Sequence, residues 1–151
     1  MTTIEKLNSL LNQLEYRLEQ SPLTPNFQNN LRAENLRRIH QLFEKLEINK
    51  KHEEFKTIFD YKAMNIAGIA LKGEGFAEIR RGTYIQIISI SHRVDAQGER
   101  ITKNLSLGYF GKAEKIETQL KNEIIEFVLR WRQEKSFQQS DHYQKLLSKL
   151  S

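Results

Sequence analysis

The sequence contains no cysteine among its 151 residues, which excludes a disulfide framework and a thiolate zinc site. It has only two prolines, and 28% of its residues are charged, a composition that argues against wholesale disorder. No apolar run reaches the roughly 18 residues of a membrane-spanning helix, and the start of the chain lacks a basic segment followed by an apolar signal core. We therefore expect a soluble, cytoplasmic protein of one domain, or of one small domain with an appendage.

Motifs for catalysis and metal binding are also missing. The glycine-rich segment 71–75 lacks the Lys-Ser/Thr ending of a phosphate-binding loop, and no Gly-x-Ser-x-Gly elbow occurs. The four histidines are far apart in sequence and form no metal-ligand pair: His40, His52, His92 and His142. Four carboxylates could in principle meet as a nuclease site, although the last two belong to a turn: Asp60, Glu78, Asp95 and Glu99. The sequence therefore predicts no enzyme activity, no cofactor and no metal.

Positive charge is concentrated in one part of the chain. The net charge is +5, and residues 1–60 hold nine basic and nine acidic side chains, which cancel. Residues 61–135 hold thirteen basic and nine acidic side chains. A basic region attracts the phosphate backbone of nucleic acid, although an ordinary solvated basic surface is an alternative explanation.

The N-terminal region reads as two helices. Apolar residues recur at alternating spacings of three and four along residues 3–20, and this stripe is Ile4, Leu7, Leu11, Leu14 and Leu18. Thr2 or Thr3 can cap this helix. Prolines at 22 and 25 interrupt the pattern, and a second helix is expected from Pro25. The two helices predict a hairpin or an arm, packed within the monomer or forming a homodimer.

A third, weaker helix is expected over residues 50–66, and glycines at 68, 73 and 75 then mark a break. We accordingly divide the chain into a helical region over residues 1–66, a sheet with a helix over 67–135, and a tail with a short helix over 136–151.

Residues 77–107 have the pattern of a three-stranded antiparallel sheet. The expected strands are Ala77 to Arg81, Tyr84 to Val94 and Arg100 to Leu107, with a hairpin turn at Gly98. A helix from Lys112 carries an apolar stripe that is expected to cover one face of this sheet: Ala113, Ile116, Leu120, Ile124, Phe127 and Trp131. The fold class is therefore α+β, with N-terminal helices followed by a three-stranded antiparallel sheet on one long helix.

The sheet face opposite this helix is the candidate binding surface. If Tyr84, Ile88 and Ile90 face the helix, the intervening residues of the second strand face away, from Ile85 to Arg93. The candidate nucleic-acid-binding residues on or beside that surface are Arg80, Arg81, Ser89, Ser91, Arg93, Arg100, Lys103 and Lys112. The alternative is that these charges only solubilise strand ends and that Ile85 and Ile87 pack beneath the N-terminal helices.

Several short motifs within residues 76–116 carry a family resemblance. They are Gly82-Thr-Tyr84, Gly98-x-Arg100, Leu105-Ser-Leu-Gly-Tyr-Phe110 and Ala113-Glu. This pattern resembles the plant ethylene-response-factor DNA-binding domain and is similar to the arm-binding domains of phage-type tyrosine recombinases, or integrases. The resemblance implies a three-stranded DNA-binding module that acts on double-stranded DNA of a phage, plasmid or other mobile element. Tyr84 stands where the plant family usually has tryptophan.

Two functions therefore remain open. The first is a DNA-binding protein that uses the open sheet face. The second is a protein-interaction module, such as a small inhibitor or adaptor, that binds a protein through the same face. Affinity for DNA would fall steeply with salt, whereas an isoleucine-based protein interface would respond weakly to salt.

Overall fold

The structure, a computed structural model, describes residues 2–20 and 25–150, without the side chains of residues 14–20, 25, 26 and 28. The helices are α1 (Thr3–Gln20), α2 (Pro25–Lys45) and α3 (Thr118–Ser148). The strands are β1 (Ala63–Ala67), β2 (Tyr84–Val94) and β3 (Arg100–Lys112). They form one antiparallel sheet in the order β1-β2-β3, which confirms the α+β class predicted from the sequence.

The chain divides into two compact units, residues 1–35 and residues 36–151. In the first unit, α1 begins with a reciprocal cap between Thr2 and Glu5. The backbone N–H of Glu5 donates to Thr2 Oγ1, and the backbone N–H of Thr2 donates to Glu5 Oε2, each at 3.2 Å. This capping box satisfies two donors that a helix start leaves without partners. Thr2 is therefore the cap, one of the two residues that the sequence suggested.

The described residues of the apolar stripe of α1 are exposed. Ile4, Leu7 and Leu11 are 71%, 55% and 48% exposed, and burial of this stripe in a homodimer stays a prediction. Leu14 and Leu18 lie among the residues whose side chains are not described. In the second unit, Ile39 and Phe43 on the C-terminal half of α2 are buried and belong to the main core.

Residues 48–67 do not form the third helix that the sequence predicted. Two short 3₁₀ helices, Ile48–Lys50 and Phe55–Asp60, are followed by strand β1. Side chains of α3 bind the carbonyl groups here: Trp131 Nε1 donates to Ile58 O at 2.9 Å, and Lys135 Nζ donates to Phe59 O at 2.7 Å. A continued α-helix would use these same carbonyls internally, so tertiary hydrogen bonds replace helical ones in this segment.

The first strand of the sheet is also in a different place from the prediction. Residues Ala77 to Arg81 form only an isolated bridge, between Ile79 and Ile69, and β1 supplies the edge of the sheet instead. Gly68, directly after β1, has φ +90°, and a Cβ atom there would lie 2.8 Å from the carbonyl oxygen of Tyr84. Only glycine permits both this backbone conformation and this close approach.

The second strand has the predicted bounds, whereas the third strand is longer than predicted. β3 continues to Lys112 and is followed by a 3₁₀ turn over Ala113–Lys115 before α3 begins at Thr118. Helix α3 then runs unbroken past residue 135, where the sequence had suggested a separate tail. Within the described residues, none of the helices is both long and apolar enough to cross a membrane.

One hydrophobic core holds the second unit together. Sheet residues Met64, Ile66, Ile85, Ile87 and Leu107 are buried against residues of α2 and α3 in a single cluster. The predicted stripe takes part as expected: Ile124, Phe127 and Trp131 of α3 are buried, Leu120 of α3 packs at the margin, and Ile116 packs there from the turn before α3. Burial of these side chains supplies the main driving force for this arrangement.

Ion pairs connect α2 with α3 beside this core. Arg38 donates from Nε and Nη2 to the two carboxylate oxygens of Glu126, each at 3.0 Å, and Arg130 Nε donates to the same carboxylate at 2.7 Å. Lys45 Nζ lies 2.7 Å from the carboxylate of Glu123, which is nearly buried. The bonds from Arg38 and then Arg130 hold the pKa of Glu126 below its ordinary value, against the opposing effect of burial.

Replacing Phe127 by alanine should test the core directly. Phe127 is completely buried, and such a truncation costs about 3–5 kcal/mol because a cavity remains. Leu120→Ala, at the half-buried margin, should cost less, and Leu129→Ala, at an exposed position of the same helix, should cost least. The measurement is the free energy of unfolding in urea. Equal losses for Phe127→Ala and Leu129→Ala would contradict the packing of α3 on the sheet.

The ion pairs of Glu126 should make stability depend on pH. Folding lowers the pKa of Glu126, so ionised Glu126 stabilises the folded state at pH values above its ordinary pKa of 4.5. This stabilisation is lost as the pH falls through the lower pKa of the folded state. Glu126→Gln should therefore be less stable than the parent at neutral pH, and the difference should shrink in acid. Denaturant unfolding at a series of pH values measures this. Glu74→Gln, at an exposed loop position, is the control, and an equal pH dependence for both variants would contradict the assignment.

Candidate nucleic-acid interface

The alternation of buried and exposed side chains along β2 shows which face of the sheet is open. Ile85, Ile87 and Ser89 are completely buried at 0% exposure, whereas Tyr84 is 48% exposed. The sequence placed Tyr84, Ile88 and Ile90 toward the helix, with packing of Ile85 and Ile87 as the alternative. The first placement is wrong, and the face carrying Ile85 and Ile87 is the covered face of the sheet. Neither DNA nor a protein partner can reach these two isoleucines in the folded protein.

The open face consists of the alternate residues of β2 and of the residues that pair with them. Its β2 members are Tyr84, Gln86, Ile88, Ile90 and His92. Their partners on the neighbouring strands are Lys112, Tyr109, Ser106, Asn104 and Thr102 of β3, and Ala67, Asn65 and Ala63 of β1. Directly paired residues place their side chains on the same face of a sheet. The open face is therefore a surface of small polar, amide and aromatic side chains around two half-buried isoleucines.

Two tyrosines lie together near one end of the open face. The ring centroids of Tyr84 and Tyr109 are 5.9 Å apart, and Tyr109 is 59% exposed. The pairing is irregular here, since Tyr84 pairs with Lys112 and Gln86 with Tyr109, so β3 contributes one more residue than β2. Gly111, with φ +90°, accommodates this extra residue. The bulge returns Lys112 to the same face as the two tyrosines.

At its other end the sheet narrows to a two-stranded ribbon. β1 pairs with β2 only as far as Ile90, so residues 91–94 and 100–103 pair only with each other. We call residues 91–103 the ribbon. Its residues from His92 onward are exposed on both faces except for the half-buried Asp95. Asp95 forms the turn, where its Oδ1 accepts bonds from the backbone N–H groups of Gln97 and Glu99 at 3.0 and 2.8 Å.

Three of the predicted cations lie on the ribbon. They are Arg93, Arg100 and Lys103, and all three are exposed. The side chain of Arg100 belongs to the open face, whereas Arg93 and Lys103 have the alternation of the covered face and lie where β1 no longer flanks the hairpin. The ribbon therefore presents positive charge on both of its sides.

The other three cations lie at the opposite end of β2. Arg80 and Arg81 are exposed in the turn before Tyr84, and Lys112 pairs with Tyr84 on the open face. The carboxylate of Glu114 accepts a hydrogen bond from the backbone N–H of Gly82. This bond, together with the backbone N–H of Glu114 itself and the charges of Lys112 and Arg81, lowers the pKa of that carboxyl. Glu114 is therefore ionised and offsets part of the positive charge at this end.

Neither of the two predicted serines lies on the open face. Ser89 is completely buried, and its Oγ donates to Leu105 O at 3.2 Å across the β2–β3 pair, so its prediction as a nucleic-acid-binding residue on an open surface is wrong. Ser91 is half-buried and donates to Lys103 O at 3.4 Å. Both hydroxyls support the sheet backbone.

Sequence reasoning missed the polar residues that do lie on the open face. They are Gln86, His92, Thr102, Asn104, Asn65 and Tyr109. A signal was present, because Gln86 and His92 share their alternation with Ile88 and Ile90, and large polar side chains favour the solvent side of a sheet. Among the described residues, no group of three or more histidine, aspartate or glutamate side chains is placed to hold a metal ion.

No family model, curated protein or solved structure matches this chain, so its geometry and chemistry carry the functional interpretation.

The assignment of the two faces can be tested with single cysteines, because the chain has none of its own. Ser106→Cys places a thiol on the open face, and Ser89→Cys places one in the core. In the native protein a water-soluble maleimide should label residue 106 rapidly and residue 89 only after unfolding. Both variants should react equally fast in denaturant, which is the control. Faster native labelling at residue 89 would reverse the assignment of the faces.

Proposed function

We propose that this protein binds double-stranded DNA through the open face of its sheet and through the ribbon. The observation that carries the proposal is an uncovered sheet face that continues into a two-stranded ribbon with exposed cations on both sides. The major groove of B-DNA, about 12 Å wide, admits such a ribbon. On this basis the ribbon enters the groove while the broader part of the sheet lies along the backbone.

The side chains on the ribbon and beside it have the chemistry of groove recognition. Asn104 offers an amide that can bond to adenine, and Arg100 offers a guanidinium that can bond to guanine. Thr102 can donate to or accept from base edges. Arg93 and Lys103, on the other side of the ribbon, are positioned to hold phosphates, which fixes orientation without reading sequence.

The spacing of the two cation clusters also suits duplex DNA. Nine residue steps separate Tyr84 from Arg93 along β2, which corresponds to about 30 Å at the usual rise of a strand. One turn of B-DNA spans about 34 Å. The ribbon cations and the group of Arg80, Arg81 and Lys112 therefore contact phosphates nearly one helical turn apart.

The resemblance to the ethylene-response-factor and integrase arm-binding domains agrees with this proposal in part. The resemblance spans residues 76–116, which include β2 and β3, but the third strand of the sheet comes from β1, upstream of that range. A function on phage, plasmid or other mobile DNA in the cytoplasm belongs to the same proposal. So does a homodimer through α1, whose described apolar side chains are exposed.

A protein partner is the second candidate, and one observation favours it. The ribbon also exposes apolar side chains, with Val94 at 67% and neighbouring Leu105 at 41%. An interface built on these residues would lose affinity on Leu105→Asp and would respond little to salt. The charge on both sides of the ribbon and the amides of the open face fit nucleic acid better.

The test is binding of fluorescent random-sequence duplex DNA over a range of salt concentrations, by anisotropy. Affinity should fall linearly with salt on logarithmic axes, with a slope of about −0.9 for each phosphate neutralised. Lys103→Gln should reduce the magnitude of that slope by about one unit, because one phosphate contact is lost, and should weaken binding to all sequences alike. Asn104→Ala should instead alter preference among sequences, by about 1–3 kcal/mol at the affected base pair.

Lys51→Gln provides the matched control, since it removes the same charge at an exposed position outside the sheet. It should leave both the affinity and the salt slope unchanged. No binding by the parent protein at low salt, or equal effects of Lys103→Gln and Lys51→Gln, would contradict the proposal. Loss of a protein interaction on Leu105→Asp, without any DNA binding, would establish the second candidate.

A further inference from the structure

A polar cavity of about 580 Å³ lies between the start of β1, the outer end of β2 and the C-terminal half of α3. Its lining includes four basic side chains: Lys62, His92, Lys135 and His142. Asp60 is its one acidic lining residue, and Tyr61, Ser136, Gln138 and Gln139 supply further polar groups. Cavities of this volume hold ligands the size of a nucleotide.

Hydrogen bonds fix the walls of this cavity. The backbone N–H of Lys62 donates to Ile90 O at 2.7 Å, which holds Lys62 beside β2. Lys135 is anchored by its bond to Phe59 O and lies over the ring of Trp131, 5.7 Å from the ring centroid. Tyr61 OH bonds to His52 Nδ1 at 3.0 Å. Lys62 and Lys135 are thus held at the cavity by bonds that exist before any ligand arrives.

The N–H donors that these bonds do not use are suited to binding an anion. An ammonium group has three N–H donors, and the bond to Phe59 uses one of those of Lys135. The bond between His92 Nδ1 and Thr102 Oγ1, at 3.1 Å, leaves Nε2 as the ring nitrogen that a ligand would contact. A phosphate presents three oxygen acceptors, which matches a set of donors that includes lysine ammonium groups. Asp60 disfavours a bare polyanion, but its carboxylate can accept a bond from a sugar hydroxyl.

We propose that this cavity binds a nucleoside monophosphate group, either as a free nucleotide or as the phosphorylated end of a nucleic-acid strand. Lys62, Lys135 and the two histidines hold the phosphate, and Asp60 with the glutamine amides holds the sugar and base. The inference goes beyond the proposed function, because duplex binding by the ribbon does not require this cavity. His92 belongs to both the open face and the cavity, so a strand lying on that face can place its end there.

The first experiment follows the histidine side chains by NMR while adenosine monophosphate is added to the full chain. The imidazole signals of His92 and His142 should shift and saturate, whereas the signal of His40, which is outside the cavity, should not move. Adenosine, which lacks the phosphate, should produce neither shift. Equal responses to adenosine and to the monophosphate, or an equal shift at His40, would overturn the proposal.

The second experiment compares two lysine variants in the same titration. Lys62→Gln removes a cavity cation and should weaken binding of the monophosphate about tenfold, as loss of a charged hydrogen bond does. Lys51→Gln removes an exposed charge elsewhere and should leave the affinity unchanged. Equal affinities for the two variants would overturn the proposal, and the backbone bond of Lys62 is retained in either case.

A third comparison identifies the source of the phosphate group. An oligonucleotide with a 5′-phosphate should bind more tightly than the same strand with a 5′-hydroxyl if the cavity receives strand ends, and Lys62→Gln should abolish that difference. If only the free monophosphate binds, the cavity is a nucleotide site. This proposal and duplex binding can fail independently. Duplex binding is tested with Lys103→Gln, and Lys103 does not line the cavity.

Discussion

The burial of one face of β2 in the hydrophobic core is the constraint on which the rest of the structure depends. Strand side chains alternate strictly, so burial of Ile85 and Ile87 with Phe127 and Trp131 determines the direction of every other side chain on the central strand. The register of β1 and β3 with β2 then determines which of their side chains lie on the same face. The open face, with its tyrosines and amides, is thus a geometric result of where the hydrophobic core forms, and a shift by a single residue would bury Gln86 and expose the isoleucines.

Helix α3 organises the segment before the sheet as well as the sheet itself. Trp131 and Lys135 donate to carbonyls at residues 58 and 59, and Arg132 donates to Met64 O at 3.0 and 3.2 Å from two of its nitrogens. These bonds hold residues 58–64 in place without a continuous α-helix. They also position Lys62 and Asp60, so the same helix that closes the core forms one wall of the polar cavity.

Local patterns in the sequence predicted α1, α2 and β2 with their correct starts, because caps, proline and a run of β-branched residues act over a few positions. They failed where tertiary contacts decide. The 50–66 segment has helix-like apolar spacing, but its carbonyls bond to α3, and β1 has only Met64 and Ile66 to mark it. The covered face of β2 was misassigned since isoleucines occur on both faces. For the candidate site, the ribbon cations Arg93, Arg100 and Lys103 were predicted, whereas the open-face amides were not.

The ribbon differs from the rest of the sheet in the energy needed to open it. Residues 91–94 and 100–103 have one partner strand each and little buried surface, so their hydrogen bonds break by local fluctuation, whereas those around Ile87 break only when the core unfolds. Amide hydrogen exchange across β2 therefore rises from the middle of the strand toward Val94. A segment of this kind adjusts its twist at low cost when it meets a groove, while the core beneath it keeps its register.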